Sequence, residues 1–318
     1  MRDSLKSAPA APRETPVRLA VDLGGLSMKN PVTVASGTFA AGREYADFVD
    51  VSALGAVTTK SVSLHGWEGN ASPRIAETPS GMLNSIGLQN PGVRHLIEED
   101  LPWLNRVGAP VIVNVSGHSF QEYVDVIEEL EKTPLVGAYE INISCPNVDA
   151  GGMNMGCRTE SVSAVVSRCR AATKRPLIVK LTPNVTNISD IARAAEAAGA
   201  DAVSLINTLL GMAVDAERRR PVLARVVGGL SGPAVKPVAL RMVWEVSRAV
   251  KVPVLGMGGI STGTDAVEFM LAGATAVAVG TANFTNPCAT VDVVDGIVDY
   301  CERQGVSDVN ELIGALEC

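Results

Sequence analysis

The chain has 318 residues, 47% hydrophobic and 19% charged, a length that fits one large α/β domain or two smaller ones. A net charge of −7 and a pI of about 5.1 argue against a phosphate-backbone footprint, so no nucleic-acid partner is expected. The sequence has no apolar run of about 18 residues, which excludes an ordinary membrane-spanning helix.

In chain order, residues 1–16 come first, with Pro9, Pro12 and Pro16 set among Ala, Ser and charges. They lack the apolar core of a signal peptide and predict a disordered tail in a cytoplasmic protein. Residues 17–31, with Gly24-Gly25 in the middle, predict a β-hairpin that plugs one end of the fold. Short runs rich in β-branched residues then recur at 32–35, 56–59, 111–115, 139–143, 177–181, 202–206, 254–257 and 276–279. Helical patterns alternate with them at 43–49, 96–106, 119–132, 159–173, 188–198, 235–249, 263–272 and 287–304. Aromatics are only 4%, and the apolar residues are mostly Val, Ala, Ile and Leu, which suits parallel strands buried on both faces. Eight βα units over roughly 250 residues predict a (β/α)8 TIM barrel, one domain over 17–318. A doubly wound open sheet is the alternative. The connections 61–92 and 209–233 are too long for simple turns and are expected as loops over the C-terminal face of the barrel.

The residues at the strand ends carry the chemistry. They are Ser36, Lys60, Asn114, Asn142, Lys180, Asn207, Gly258-Gly259 and Gly280-Thr281. Buried lysines are costly without an anion. Asparagines offer donors and acceptors without charge, which suits a flat heterocycle with carbonyl and N–H edges. Glycines after strands seven and eight let backbone N–H groups approach a phosphate, with a helix N-terminus beyond adding its dipole. Together they describe a site for flavin mononucleotide (FMN). Lys180 is placed by its N1–C2=O edge, Asn114 and Asn142 by the ring edges, and Ser36 by the O4–N5 side. A plain salt bridge at the strand end is the other reading of Lys180.

Cys145, between Asn142 and Asn147, follows the fourth strand, and Pro146 turns its thiol into the barrel mouth. With a reference pKa of about 8.5, a thiol serves as a general base once neighbours favour thiolate. The six cysteines have no C-x2-C or C-x4-C spacing, and His65, His95 and His118 are scattered. No metal or iron–sulfur site is expected in this chain.

These motifs resemble class 1B dihydroorotate dehydrogenases from about Val17 onward. The resemblance rests on Ala35-Ser36-Gly37-Thr38, Thr59-Lys60-Ser61, the run 84–92, the run 142–147, Lys180-Leu181-Thr182-Pro183-Asn184, Ile206-Asn207-Thr208 and the run 228–233. It implies that Cys145 takes the C5 proton of dihydroorotate while a hydride leaves C6. Lys60 would contact both flavin and the substrate carboxylate. Asn84, Ser85, Ile86, Gly87, Leu88, Asn142, Asn207 and Thr208 would hold the pyrimidine, while Ser61, Ile206 and Gly232 would join the cofactor site. It also implies a homodimer paired with a second subunit carrying FAD and a [2Fe–2S] cluster, a heterotetramer in which NAD binds the partner. A uracil- or thymine-reducing flavin barrel and a fumarate-linked class 1A enzyme remain open. So does a catalytically silent scaffold. Cys157, twelve residues after Cys145, departs from the family pattern and is expected to be inert, with a disulfide to Cys145 as the alternative.

Overall fold

The computed structural model describes residues 9–143 and 155–317. Eight parallel strands form its centre: β1 (Val32–Val34), β2 (Val57–Thr58), β3 (Val111–Val115), β4 (Ala138–Asn142), β5 (Leu177–Lys180), β6 (Ala202–Leu205), β7 (Val254–Met257) and β8 (Ala276–Val279). Every residue in them is buried. The run of apolar residues without alternation reflects helices on one face and a filled interior on the other. The sheet runs in the order β1-β8-β7-β6-β5-β4-β3-β2. Its two ends meet where Gly55 N donates to Val32 O at 3.0 Å. Thr33 Oγ1 donates to Ala56 O at 2.9 Å and lies 3.2 Å from Thr58 Oγ1, so a side chain helps close the barrel. The (β/α)8 expectation holds.

Around the sheet lie α1 (Leu101–Val107), α2 (Phe120–Leu130), α3 (Thr159–Ala172), α4 (Ile188–Ala197), α5 (Lys236–Ser247), α6 (Gly263–Leu271) and α7 (Ala289–Gln304). In α2, Ser119 caps the first turn and Tyr123, Val126, Ile127 and Leu130 form the buried stripe. Ahead of α1, a π-helical turn at Leu96–Asp100 precedes Pro102, whose missing N–H interrupts the regular ladder.

Two expectations change. The helix expected over 43–49 is replaced by short 3-10 turns at Arg43–Tyr45 and Val51–Ala53. Within the tail expected over 1–16, the described residues make defined contacts with the fold. Ala10 N donates to Phe48 O, and Asp50 N donates to Ala10 O, so the incoming segment is bridged to the end of this turn region. Arg13 then pairs with Asp299 at 2.7 Å and Glu302 at 2.8 Å on α7.

The hairpin forms from Val21–Leu23 and Leu26–Met28 and seats against the N-terminal ends of the barrel strands. Gly24 has φ +64, and a Cβ there would lie 2.3 Å from Asp201 O. Asp201 is itself held by Arg170 at 2.6 Å and accepts from Leu177 N at 2.8 Å, so the floor cannot yield. Gly24→Ala is therefore expected to lower stability by about 1–3 kcal/mol, read as a shift of the urea midpoint; an unchanged midpoint would mean the hairpin does not bear on the barrel floor.

Candidate active site

The two long connections build a second sheet instead of loops. Leu209–Met212, Val227–Ser231, Gly81–Asn84 and Ile75–Thr78 pair antiparallel in that order over the C-terminal ends of the barrel strands. Gly228 and Gly229 permit this, because a Cβ on Gly229 would lie 2.0 Å from Thr208 Oγ1 and one on Gly228 2.7 Å from Asn84 O. Between sheet and barrel lies a cavity of about 530 Å³, within the usual size of a ligand site.

The cavity gathers nearly all the expected residues. From the strand ends come Ser36, Lys60, Ser61, Asn142, Lys180, Ile206 and Asn207. From the glycine turns come Gly232, Gly258, Gly259, Gly280 and Thr281, and from the upper sheet and its loop Asn84, Ser85, Ile86, Gly87, Leu88 and Thr208. Asn114 is the exception: it is fully buried beneath the wall and reaches the cavity only through its hydrogen bond with Ser61. Cys145 lies outside the described residues, as do Pro146, Asn147 and residues 151–154.

Local contacts set these side chains. Asn90 Nδ2 donates to Leu88 O at 2.8 Å while its Oδ1 accepts from Gly92 N at 2.9 Å, pinning a loop in which Leu88 has φ +56. Thr281 Oγ1 donates to Ser231 Oγ at 2.8 Å and ties the eighth strand's turn to the upper sheet. Asn184, at the cavity wall, accepts from Leu210 N at 3.0 Å and donates to Thr208 O at 3.0 Å. In the sequence Asn184 closes the motif 180–184, and its place just beyond the strand-end Lys180 is the signal for it.

The N-terminus of α6, which follows β7, is capped by its own Asp265, which accepts from Ser261 N at 2.9 Å, from Thr262 N at 2.8 Å and from Lys236 Nζ at 2.6 Å. Burial works to raise the pKa of Asp265, but these bonds outweigh it and hold the carboxyl below its ordinary range. Gly280 behaves differently. A Cβ there would make only ordinary contact, 3.4 Å from Ala35, so its small size leaves room in the cavity.

The electrostatics are lopsided. Lys60, Lys180 and Arg225 line the cavity, and no Asp or Glu does so among the described residues. Burial, and then the charges of Lys180 and Arg74, push the Lys60 ammonium down to about 8. Lys180 is 5% exposed and pairs with Glu140 at 3.9 Å. The salt-bridge reading of Lys180 is therefore correct, and Lys180 still faces the cavity. Glu140 stands inside the apolar run 138–141, where the sequence alone gives no sign of a site role. Cys157 donates to Asn184 O at 3.6 Å, and burial raises its pKa, which disfavours thiolate. Among the described residues no cluster of three His, Cys, Asp or Glu is placed to hold a metal, and no helix is long and apolar enough to cross a membrane.

Comparison with known proteins decides the family. A sequence model described as "Dihydroorotate dehydrogenase" matches residues 18–300. A Bacteroides fragilis protein named "Dihydroorotate dehydrogenase B (NAD(+)), catalytic subunit" is 58% identical over 302 residues, 94% of this chain and 99% of that one. The chain belongs to the dihydroorotate dehydrogenase family. A Geotalea uraniireducens protein of the same name is 56% identical over 298 residues, covering 94% and 98% of the two chains. The dihydroorotate dehydrogenase similarity is thus to NAD-linked catalytic subunits, and the chain is an oxidoreductase of that type. A crystal structure of an Eimeria tenella DHODH with ferulenol shares the fold, with TM-score 0.78, 22% identity, and coverage of 95% and 89%.

The displaced Lys60 gives this dihydroorotate dehydrogenase a pH signature. Its charge is full below about 8 and is lost as the pH rises through that value, well before its ordinary 10.5. Below about 8 the folded chain bears the cost of keeping it charged, and an anion relieves that cost. Orotate affinity, measured by equilibrium titration, is expected to be constant on the acid side of about 8 and to fall by up to about tenfold per pH unit above it. A flat profile with intact binding would remove the Lys60 charge from carboxylate recognition.

Proposed function

We propose that the chain oxidises (S)-dihydroorotate to orotate in pyrimidine biosynthesis, with FMN held in the 530 Å³ cavity, in the cytoplasm. The observation that carries this reading is one cavity lined by two lysines, strand-end asparagines and glycine turns, with no carboxylate among its described lining residues. Such a wall suits an anionic, amide-edged ligand. Two further features fit a bound flavin and pyrimidine. The Ser85 hydroxyl is buried at the wall with no hydrogen-bond partner among the described residues, a cost that a ligand would remove. Gly280 and Gly37, both lining the cavity, leave space that side chains would fill.

FMN, when bound, supplies the acceptor for the hydride that leaves C6 of the substrate. Gly258, Gly259, Gly280, Thr281 and Gly232 would hold its phosphate side, while Ser36, Ser61, Ile206 and Lys180 would hold its ring. Lys60, half-buried and in no ion pair among the described residues, would meet both ring and substrate carboxylate. Asn84 to Leu88, Asn142, Asn207 and Thr208 would read the pyrimidine edges. Cys145 is assigned the C5 proton, so proton and hydride leave neighbouring carbons and a C=C bond remains in orotate. The relatives' name, "catalytic subunit", supports a partner. We take the partner to carry FAD and a [2Fe–2S] cluster and to meet NAD, in a heterotetramer built on a homodimer of this chain.

The purified protein is expected to convert dihydroorotate, and not dihydrouracil, to its oxidised pyrimidine; failure to form orotate would defeat the reading, and turnover of dihydrouracil would favour a uracil-type enzyme. Iron and FAD co-purifying on a second polypeptide would support the partner, whereas a lone chain coupled to fumarate would place it with class 1A. Cys145→Ser is expected to slow turnover by about 10²–10⁴-fold, the usual worth of a general base, while bound-flavin absorbance is kept. Wild-type turnover in that variant would take Cys145 out of the reaction.

A further inference from the structure

Glu140 is 0% exposed, deep in the barrel below the cavity floor. A carboxylate in such a place survives only if its environment supplies donors. Three converge on it. Ser204 Oγ donates at 2.6 Å to one carboxylate oxygen, Asn114 Nδ2 donates to the other, and Lys180 Nζ lies 3.9 Å from that second oxygen. They come from β6, β3 and β5, so one side chain on β4 bonds across half the barrel.

We infer that Glu140 is a positioning residue, which sets the direction of a hydrogen-bond chain ending on Asn142 and holds Lys180 against the cavity. This inference rests on the flavin reading above and deepens it. An ionised carboxylate can only accept, so Asn114 must present its N–H2 group to Glu140. The Asn114 carbonyl oxygen then faces Ser61 Oγ, which must donate to it. With its proton so used, Ser61 Oγ accepts from Asn142 Nδ2 at 3.4 Å. The amide group of Asn142 is thereby turned one way rather than the other, and Asn142 lines the cavity. Tyr123 Oη holds the same residue from behind, donating to Asn142 O at 2.8 Å. A flipped amide would exchange donor for acceptor at the ligand's edge, so the polarity of this chain bears on what the site reads.

The second consequence is electrostatic. Glu140 is the carboxylate paired with Lys180 among the described residues, and with Lys60 close by it offsets part of the positive charge beneath the ring site. Removing that charge without changing the side chain's shape should favour the reduced flavin, which carries more negative charge than the oxidised form.

The experiment uses the purified holoenzyme with any partner subunit, as wild type, Glu140→Gln and Glu140→Asp, and reads the reduction potential of the bound flavin. The potential of Glu140→Gln is expected to shift positive, and that of Glu140→Asp, which keeps the charge, to return toward wild type. A folded, flavin-loaded Glu140→Gln with the wild-type potential overturns the inference. If Glu140→Gln loses flavin, retention by Glu140→Asp supports it, and loss from both overturns it by making shape, not charge, the requirement. Wild-type protein without flavin would instead defeat the flavin reading, and this inference with it.

Discussion

The buried charge pair of Glu140 and Lys180 is the constraint on which the rest of the site depends. Each group alone would cost several kcal/mol in a barrel interior, and at 3.9 Å they compensate one another only in part. The remainder comes from neutral donors, Ser204 and Asn114, held at fixed heights on neighbouring strands by the parallel register Asn114↔Glu140 and Ser204↔Lys180. Register is therefore an electrostatic requirement here as well as a packing one. A slip of one residue would point Glu140 at the helices and leave Lys180 without its anion. The barrel thus has two different cores. Between sheet and helices it is Val, Ile and Leu, whereas toward the mouth its interior becomes a polar lattice of Thr33, Thr58, Asn114, Glu140 and Ser204, each 0–1% exposed.

Floor and roof of the cavity obey different physics. The floor consists of strand ends whose positions follow from local βα units, and each contributes one or two side chains. The roof is an antiparallel sheet that joins segments 145 residues apart in the chain, with Gly229 opposite Asn84 and Leu230 opposite Leu83. It closes on Thr208 through the absence of a side chain at Gly229, and it carries exposed apolar side chains, Leu210 at 62% and Met212 at 53%, of which Leu210 lines the cavity. A scaffold of short-range pieces therefore carries a lid made of long-range pairing, with Asn184 bridging the two through Leu210 and Thr208.

This division explains what could be read from the sequence. The eight barrel strands were legible because strands buried on both faces need unbroken β-branched runs, and 111–115, 254–257 and 276–279 were found to the residue. The site residues were legible because polar groups directly after such runs have no packing reason to be there. The roof was not legible: its strands are four or five residues long, interrupted by glycine, and paired with segments far away in the chain. The 43–49 segment forms short 3-10 turns whose end is bridged by residue 10, a contact distant in the chain. Glu140 was hidden by its neighbours, because Ala138-Tyr139-Glu140-Ile141 reads as core and only the barrel register shows what the carboxylate faces. Asn114 stands at a strand end as expected, with its side chain buried between Ser61 and Glu140.

The surplus of positive charge at the mouth links stability to recognition. Lys180 has its anion inside the barrel, but Lys60 faces Lys180 and Arg74 with no carboxylate in contact among the described residues, and its proton is correspondingly loosened. The folded chain bears that repulsion when empty. An anion at the mouth would relieve it, so part of the binding free energy of an anionic ligand would come from strain already stored in the charge arrangement. A neutral pyrimidine gains nothing from this term, although it can use the same amide-bearing wall. Discrimination between a carboxylated and an uncarboxylated ring would therefore follow from where the barrel put its counter-charge: beneath Lys180, and not beside Lys60.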